Sequence, residues 1–180
     1  MTPIKITTIP VWPATNVRST QGDRWLFSVS DDYLIEYDKR RMETHGRPGR
    51  NLDRKRQLEK YNAYKEEIRY WVDKSQFIIP MGFFAMWFYL PFPKSWRKPK
   101  CIEMEGKAHT STPDLDNMIK ALFDSIMPRR SRISGEKGAD DRKIHCYVAF
   151  KVWVPLGSER IDIVEYQPEE FNSTFTYLET

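Results

Sequence analysis

Alternating hydrophobic and polar residues mark three segments of the chain and predict β-strands there. Ile4 to Trp12 alternates loosely and stops at Pro13. Ile144 to Val154 alternates in part, and Ile161 to Tyr166 follows after the turn-like sequence PLGSER. The last two strands are therefore expected to pair with each other across that turn.

A helical period appears in two other segments. Apolar residues between Leu52 and Val72 approximate an i, i+3, i+7 stripe, and Leu115 to Ile126 carries an apolar face. Ser30 is followed by acidic residues and predicts the N-cap of an earlier helix. Short extended pieces are expected at Arg24 to Val29 and at Cys101 to Lys107.

The longest apolar run extends from Phe77 to Pro93. It is shorter than the roughly 20 residues that a membrane-spanning helix needs, and prolines and a glycine interrupt it. Its many aromatic residues predict a strand buried on both faces. One face would contain Phe83, Ala85, Trp87 and Tyr89, and the other Phe84, Met86, Phe88 and Leu90. A subunit interface or ordinary core would explain such a strand equally well.

The whole chain of 180 residues is long enough to bury a substantial core. No repeat, low-complexity block or dividing linker is evident, so residues 1–180 are expected to form one domain. Strands and helices alternate without a regular βαβ rhythm. The pattern therefore predicts an α+β fold with a mixed β-sheet and helices packed on it.

Composition narrows the class of protein only a little. The net charge of +4 permits an anionic partner without demonstrating one. Two cysteines do not make a disulfide framework, which favours a reducing intracellular setting. The first residues contain no long apolar stretch, so neither a signal peptide nor a membrane partner is expected.

The candidate chemistry lies in the sequence STPDLDN, at the start of the helix predicted from Leu115 to Ile126. Ser111 or Thr112 would be a suitable cap, Pro113 suits a first helical position, and Asp114 favours the positive end of a helix. Capping alone therefore explains much of the pattern. Asp116 and Lys120 add something else, because their i, i+4 spacing places them on one helix face.

Two further acidic residues, Asp140 and Asp141, precede the next predicted strand. Carboxylates that share a site repel each other and raise each other's pKa, and a hard divalent cation removes that penalty. Mg²⁺ prefers oxygen ligands and keeps waters, one of which can be activated for attack. With a lysine to stabilise phosphoryl charge, the cluster suits metal-assisted phosphodiester hydrolysis. Loops also collect acidic residues, so the simpler explanation stays open.

The sequence HTSTPDLDNMIKALFDSI, followed by DDRKI, resembles the RusA family of Holliday junction resolvases. That family has a proline-Asp-x-Asp-Asn-x-x-Lys helix start and then an Asp-Asp pair leading into a strand. The segment IPVWPATN is similar to the opening strand of the family. The resemblance implies a RusA-like homodimer that binds four-way DNA junctions and nicks two strands symmetrically with Mg²⁺. It also implies a cytoplasmic enzyme encoded by a bacterium or phage.

The resemblance assigns roles to individual residues. Those implied as metal-binding carboxylates are Asp114, Asp116 and Asp141. Lys120 would be the catalytic lysine, Asp140 an auxiliary acid, and Asn117 a support for the helix start.

Two departures from the family pattern stand out. A longer polar loop, RRSRISGEKGA, precedes the Asp-Asp pair. The insertion between the first strand and the long apolar strand is also large, so the DNA preference is expected to differ from that of simpler members.

Basic residues cluster in several predicted loops and helix starts. Those expected to contact DNA are Lys94, Arg97, Lys98, Arg129, Arg130 and Arg132. Each cluster alone is typical of a solvated surface, but beside an acidic metal site phosphate contacts would add affinity. Trp96 lies among the first of these clusters, and either stacks on an unpaired base or shields the core.

Three other interpretations compete with this one. A catalytically silent DNA-binding protein of the same fold would share the basic residues. A PD-(D/E)xK nuclease could use Pro113-Asp114 with Asp141 to Lys143, although that pattern expects its first aspartate near a strand. A zinc site at Cys101, His109 and the His145-Cys146 pair fails on spacing.

Overall fold

The structure is a computed structural model that describes residues 3–14, 21–46, 49–80, 83–127, 144 and 146–166. Its contacts divide the chain into two compact units. The first contains Met1–Thr15 and Lys65–Thr180, and the second contains Asn16–Tyr64. Each is considered by itself, and the expectation of one domain over residues 1–180 stays a prediction.

The first unit is built on a four-stranded sheet. Its strands are β1 (Pro3–Ile9), β2 (Phe84–Pro91), β3 (Tyr147–Val154) and β4 (Arg160–Tyr166). Their order across the sheet is β1-β4-β2-β3. β4 runs antiparallel to both β1 and β2, whereas β2 and β3 are parallel. The predicted mixed sheet and α+β class are confirmed.

The expected pairing of the last two strands with each other is wrong. β4 lies between β1 and β2, and β3 forms the far edge. The burial of the strands explains this order. Four consecutive residues of β4, from Ile161 to Val164, are buried, as expected of a strand with neighbours on both sides. Tyr147, Val148 and Phe150 of β3 are exposed, as suits an edge strand.

Two helices lie between β2 and β3 in the chain. They are α3 (Lys98–Met104) and α4 (Leu115–Ile126). The predicted extended piece from Cys101 to Lys107 is wrong, because α3 begins early with Pro99 in its first turn, where the missing N–H of proline has no cost. An extended connection follows instead, where Ala108 bridges Val152 of β3.

Helix α4 matches the predicted bounds and packs on the sheet. Its buried residues are Met118, Ala121, Leu122 and Ser125. Phe123 contacts the Tyr147 ring edge-on at a centroid distance of 5.7 Å. Tyr147 pairs with Phe84, whose face of β2 also carries Met86 and Phe88. Helix α4 therefore covers that face, and these three side chains are at most 1% exposed.

The other face of β2 is only partly covered. Ala85 is buried, but Trp87 and Tyr89 are half-buried, so the prediction of burial on both faces holds in full for the face under α4 alone. Trp87 stacks on Phe150 at 4.3 Å, and the Arg160 guanidinium lies 3.7 Å from the Tyr89 ring centre. Neighbouring strands thus cover these rings from the side.

The second unit begins with a 3-10 helix, Gln21–Phe27, where an extended piece was expected. Helix α1 (Asp31–His45) follows, and Tyr33 N–H donates to Ser30 Oγ at 3.2 Å, which confirms the predicted N-cap. Gly46 ends α1 with φ of 64°, a conformation that glycine adopts without strain. The core of the unit contains Leu26, Leu34 and Leu58, with Val29 and Leu52 against it.

Helix α2 (Asn51–Ser75) confirms the predicted helix over residues 52–72. Its first turn is held by Asp38 of α1. The Asp38 carboxylate accepts hydrogen bonds from Asn51 N–H at 3.0 Å, Asn51 Nδ2 at 2.7 Å and Leu52 N–H at 3.4 Å. Within the described residues, none of the helices is long and apolar enough to cross a membrane.

Replacing Asp38 with alanine should lower the stability of the second unit, because three donors at the start of α2 lose one acceptor. We expect a loss of about 1–2 kcal/mol in the free energy of unfolding. Urea denaturation followed by far-UV circular dichroism measures it. Asp32→Ala, at an exposed site of the same helix, is the control. Equal losses in both variants would contradict this role of Asp38.

Candidate active site

The site is assembled around the first turn of α4. Asp114 is the N-cap residue, with extended backbone angles (φ −71°, ψ 138°), and its carbonyl accepts the N–H of Met118 at 3.2 Å. The helix thus starts two residues later than a cap at Thr112 would require, and three later than a cap at Ser111 would. Pro113 precedes the cap, after a cis peptide bond, so its expected place as the first helical residue is wrong.

The side chain of Asp114 makes no hydrogen bond to the helix amides. Capping usually engages the side-chain oxygen of the cap residue with an N–H of the first turn. Here the exposed carboxylate occupies the cap position without that bond, so its oxygens remain available to a ligand. Capping therefore does not explain why an aspartate stands at this position.

Asp116 and Lys120 face each other one turn apart on α4, as their spacing predicts. Lys120 Nζ donates to Asp116 Oδ2 at 2.9 Å, and the two side chains are 59% and 66% exposed, respectively. The hydrogen bond from Lys120 lowers the pKa of the Asp116 carboxyl, and the backbone N–H groups of Asn117 and Asp116 act in the same direction. An exposed pair of this kind adds little to folding. It presents an ionised carboxylate and an ammonium group to solvent.

Lys151, which the sequence reasoning did not single out, ties the segment before α4 to the sheet. It extends from β3 on the face that α4 covers, since it is an even number of residues from Tyr147. Its Nζ donates to the carbonyl oxygens of Ser111 at 2.8 Å and Pro113 at 2.6 Å. These charge-assisted bonds fix the backbone that leads directly into Asp114. The signal in the sequence was a single lysine inside an otherwise apolar strand.

His109 supports the same segment from the other end. Its N–H donates to the Lys151 carbonyl at 2.9 Å, and its ring lies 3.6 Å from the Trp153 ring. The side chain is buried, and its Nδ1 has no partner among the described residues. Burial lowers the pKa of His109, and the nearby Lys151 charge adds to that effect. The neutral imidazole is therefore the form that this packing favours.

Three predicted DNA-contacting residues, in the loop before α3 and at the first position of α3, are at the surface. Lys94, Arg97 and Lys98 are exposed. Trp96 is half-buried, 4.8 Å from the Trp153 ring, and Lys100 Nζ lies 4.3 Å from its ring centre. These contacts favour the interpretation in which Trp96 shields the core over the one in which it stacks on a base.

Several predicted site residues lie outside the described part of the chain. They are Arg129, Arg130, Arg132, Asp140 and Asp141, and the polar loop before the Asp-Asp pair lies there too. Lys143 of the alternative nuclease pattern and His145 of the zinc pattern are also outside it.

The described residues thus contribute two carboxylates, Asp114 and Asp116, to a metal site. Among them there is no group of three or more His, Cys, Asp or Glu side chains that could hold an ion. Carboxylate oxygens are the ligands that Mg²⁺ prefers, and Asp114 has its oxygens available. The donor chemistry of this helix start therefore fits Mg²⁺, with further ligands needed from elsewhere.

One protein-family model matches the chain. The family model described as Endodeoxyribonuclease RusA matches residues 39–163 of the 180-residue chain. The match includes α4, β3 and most of β4, and it omits β1 and most of α1. No curated protein and no solved structure gives a significant match.

Replacing Lys151 with methionine should destabilise the first unit by roughly 1–3 kcal/mol, because two carbonyl groups lose a charged donor. Amide hydrogen exchange in the segment from His109 to Leu115 should also become faster. Exchange measured by mass spectrometry, together with urea denaturation, tests both effects. Lys107→Met, at an exposed lysine of the same unit, is the control. Unchanged exchange in the Lys151 variant would contradict the role proposed for it.

Acid should weaken the fold through His109. Its folded pKa lies below the ordinary value of 6.5, so the unfolded chain binds the proton more readily. The stability is present above about pH 6.5 and is lost as the pH falls from there toward the lowered pKa. His109→Phe should reduce this loss while keeping a ring on Trp153. Urea denaturation at about pH 7.5 and about pH 5.5 measures it. A pH dependence in the His109 variant that is identical to that of the wild type would refute the assignment.

Proposed function

The chain belongs to the RusA family of endodeoxyribonucleases, and we propose that it is a Mg²⁺-dependent enzyme that cuts four-way DNA junctions. One observation supports the proposal most directly. The Asp114 side chain stands at the N-cap of α4 without a hydrogen bond to the helix amides, and Asp116 of the exposed Asp116–Lys120 pair follows two residues later. A helix start that needed only a cap would not require this arrangement.

Asp114 and Asp116 are proposed as metal ligands, together with Asp141. Bound Mg²⁺ would supply positive charge at the scissile phosphate and promote attack by water. Both described carboxylates sit on the first turn of α4, which is packed on the sheet and therefore holds them rigidly. Asn117 lies half-buried in the same turn and would support it, and Asp140 would be an auxiliary acid.

Lys120 is proposed as the group that stabilises charge in the transition state. Asp116 fixes its ammonium at 2.9 Å, so the positive charge is already oriented before DNA binds. A cation that is already in place needs little reorganisation energy when negative charge develops on a phosphate oxygen. Both side chains are more than half exposed, which leaves them accessible to a DNA backbone.

DNA is proposed to contact the exposed Lys94 and Arg97 of the loop before α3, and the exposed Lys98 at the start of that helix. Contacts to phosphates supply most affinity that is independent of sequence. Arg129, Arg130 and Arg132 are proposed for the same role. A homodimer is proposed because a four-way junction presents two equivalent scissile phosphates to a twofold-symmetric pair of subunits.

Asp116→Asn should reduce cleavage of a synthetic four-way junction by about 100-fold or more in Mg²⁺, while binding of the junction stays intact or strengthens. The asparagine keeps the shape of the side chain but loses the negative charge that binds the metal. Denaturing gels measure cleavage, and gel shifts in EDTA measure binding.

Asp124→Asn is the matched control, because it makes the same chemical change in an exposed residue two turns later on α4. It should cleave like the wild type. Full cleavage by the Asp116 variant would refute the site. A wild type that binds the junction without cutting it in Mg²⁺ would instead favour a catalytically silent DNA-binding protein.

A further inference from the structure

Three aromatic side chains of the second unit form a continuous exposed stripe. Trp25 of the 3-10 helix meets Tyr37 of α1 edge-on at 5.8 Å, and Tyr37 stacks with Tyr33 at 6.4 Å. Their exposed fractions are 37%, 42% and 54% in the order Trp25, Tyr37, Tyr33. We refer to these three residues as the aromatic stripe.

The stripe is separate from the core of its unit. The buried residue of α1 is Leu34, which packs with Leu26 and Leu58. Tyr33 and Tyr37 lie one turn apart on a flank of α1, and neither is buried. Three adjoining rings left in water are more than scattered surface apolar residues, and such patches mark binding sites.

Arginine side chains lie next to the aromatic stripe in the chain or on the same flank of α1. Arg40 and Arg41 follow Tyr37 by three and four residues, which places them along the same flank of α1. Arg24 is exposed and adjoins Trp25 in the chain. Arg40 pairs with the exposed Glu36 at 3.2 Å, whereas Arg24 and Arg41 have no ion pair within the part of the chain that is described.

Half of the eight acidic residues between residues 16 and 64 make ion pairs or hydrogen bonds within the unit, and the Glu36–Arg40 pair is one case. Asp23 pairs with Arg54 at 3.0 Å, and Asp31 pairs with Lys55 at 2.7 Å. Asp38 holds the start of α2. The sequence from residue 16 to residue 64 also contains more lysine and arginine than aspartate and glutamate. The surface around the rings therefore favours an anionic ligand.

We propose that the aromatic stripe is an accessory DNA site, at which unpaired bases stack on Trp25, Tyr33 and Tyr37 while Arg40 and Arg41 contact the adjoining phosphates. Rings stack on bases of any sequence, and arginines beside them follow the backbone. Paired bases inside a duplex cannot reach such a surface. The site thus selects DNA that exposes single-stranded bases near a branch.

This inference requires only that the enzyme acts on DNA, and it is independent of the roles proposed for Asp114, Asp116 and Lys120. The three rings precede residue 39, where the family match begins. Trp, Tyr and Arg are also enriched in protein interfaces, so a protein partner is the alternative occupant. The uncompensated arginines and the DNA substrate of the family favour nucleic acid.

The test compares two double variants of α1. Tyr33→Ala with Tyr37→Ala removes two rings of the stripe. Ile35→Ala with Met42→Ala removes two side chains of similar exposure, 39% and 50%, from the other flank of the same helix. Binding to an oligo(dT) strand and to a synthetic four-way junction is measured in EDTA by fluorescence anisotropy, so that no cleavage intervenes.

The tyrosine variant should bind oligo(dT) about tenfold more weakly, and the control variant should stay within about twofold of the wild type. Oligo(dT) should also quench tryptophan fluorescence, and Trp25→Phe should remove much of that quenching. Equal binding by the two double variants would overturn the proposal. Loss of self-association in the tyrosine variant, with DNA binding unchanged, would overturn it in favour of a protein interface.

Failure of this site and failure of the proposed nuclease chemistry give different results. If the chemistry is wrong, the wild type does not cut the junction in Mg²⁺, but oligo(dT) binding still depends on the tyrosines. If the stripe is not a DNA site, the wild type still cuts the junction, and the tyrosine variant binds oligo(dT) as tightly as the wild type does.

Discussion

The bonds from Lys151 Nζ to the Ser111 and Pro113 carbonyls are the interaction on which the candidate site depends. They join the edge strand β3 to the segment that enters α4. Asp114 lacks a cap bond of its own, so its position is set by the backbone on either side of it. Lys151 fixes the residues before Asp114, and the packing of α4 on the sheet fixes the residues after Asp114. The two proposed metal ligands at this helix start, Asp114 and Asp116, therefore take their positions from these two constraints.

Much of the local structure followed from sequence periodicity. The bounds of α4, the i, i+4 contact between Asp116 and Lys120, and the strand from Phe84 all depend on spacing within one segment. The order of the strands did not follow, because pairing depends on which segments bury both faces. Ile161 to Val164 needed neighbours on either side, which outweighed the short turn to β3. Pro99 likewise favoured a helix where a short extended piece was expected.

The site was predictable to a different extent. Asp114, Asp116 and Lys120 could be proposed from the sequence because they form a local pattern on one helix, and all three lie within the range of the family match. Lys151 was missed because its partners are backbone carbonyls some 40 residues away in the chain. Every residue has a carbonyl, so no sequence pattern identifies the two that accept these bonds. The absence of a cap bond at Asp114 was also invisible, since aspartate is among the residues that usually provide one.

The Asp114 side chain makes no cap bond, so stability and the proposed activity favour different residues at this position. A serine or asparagine at this position could bond the first-turn amides of α4, and caps of this kind typically contribute about 1 kcal/mol. Selection for thermostability alone would therefore favour replacing the residue that the reaction is proposed to need. A natural population can keep the aspartate only while its activity is under selection. Gene copies that are no longer selected for the activity would therefore be expected to lose this aspartate early, through replacements that raise the stability of the fold.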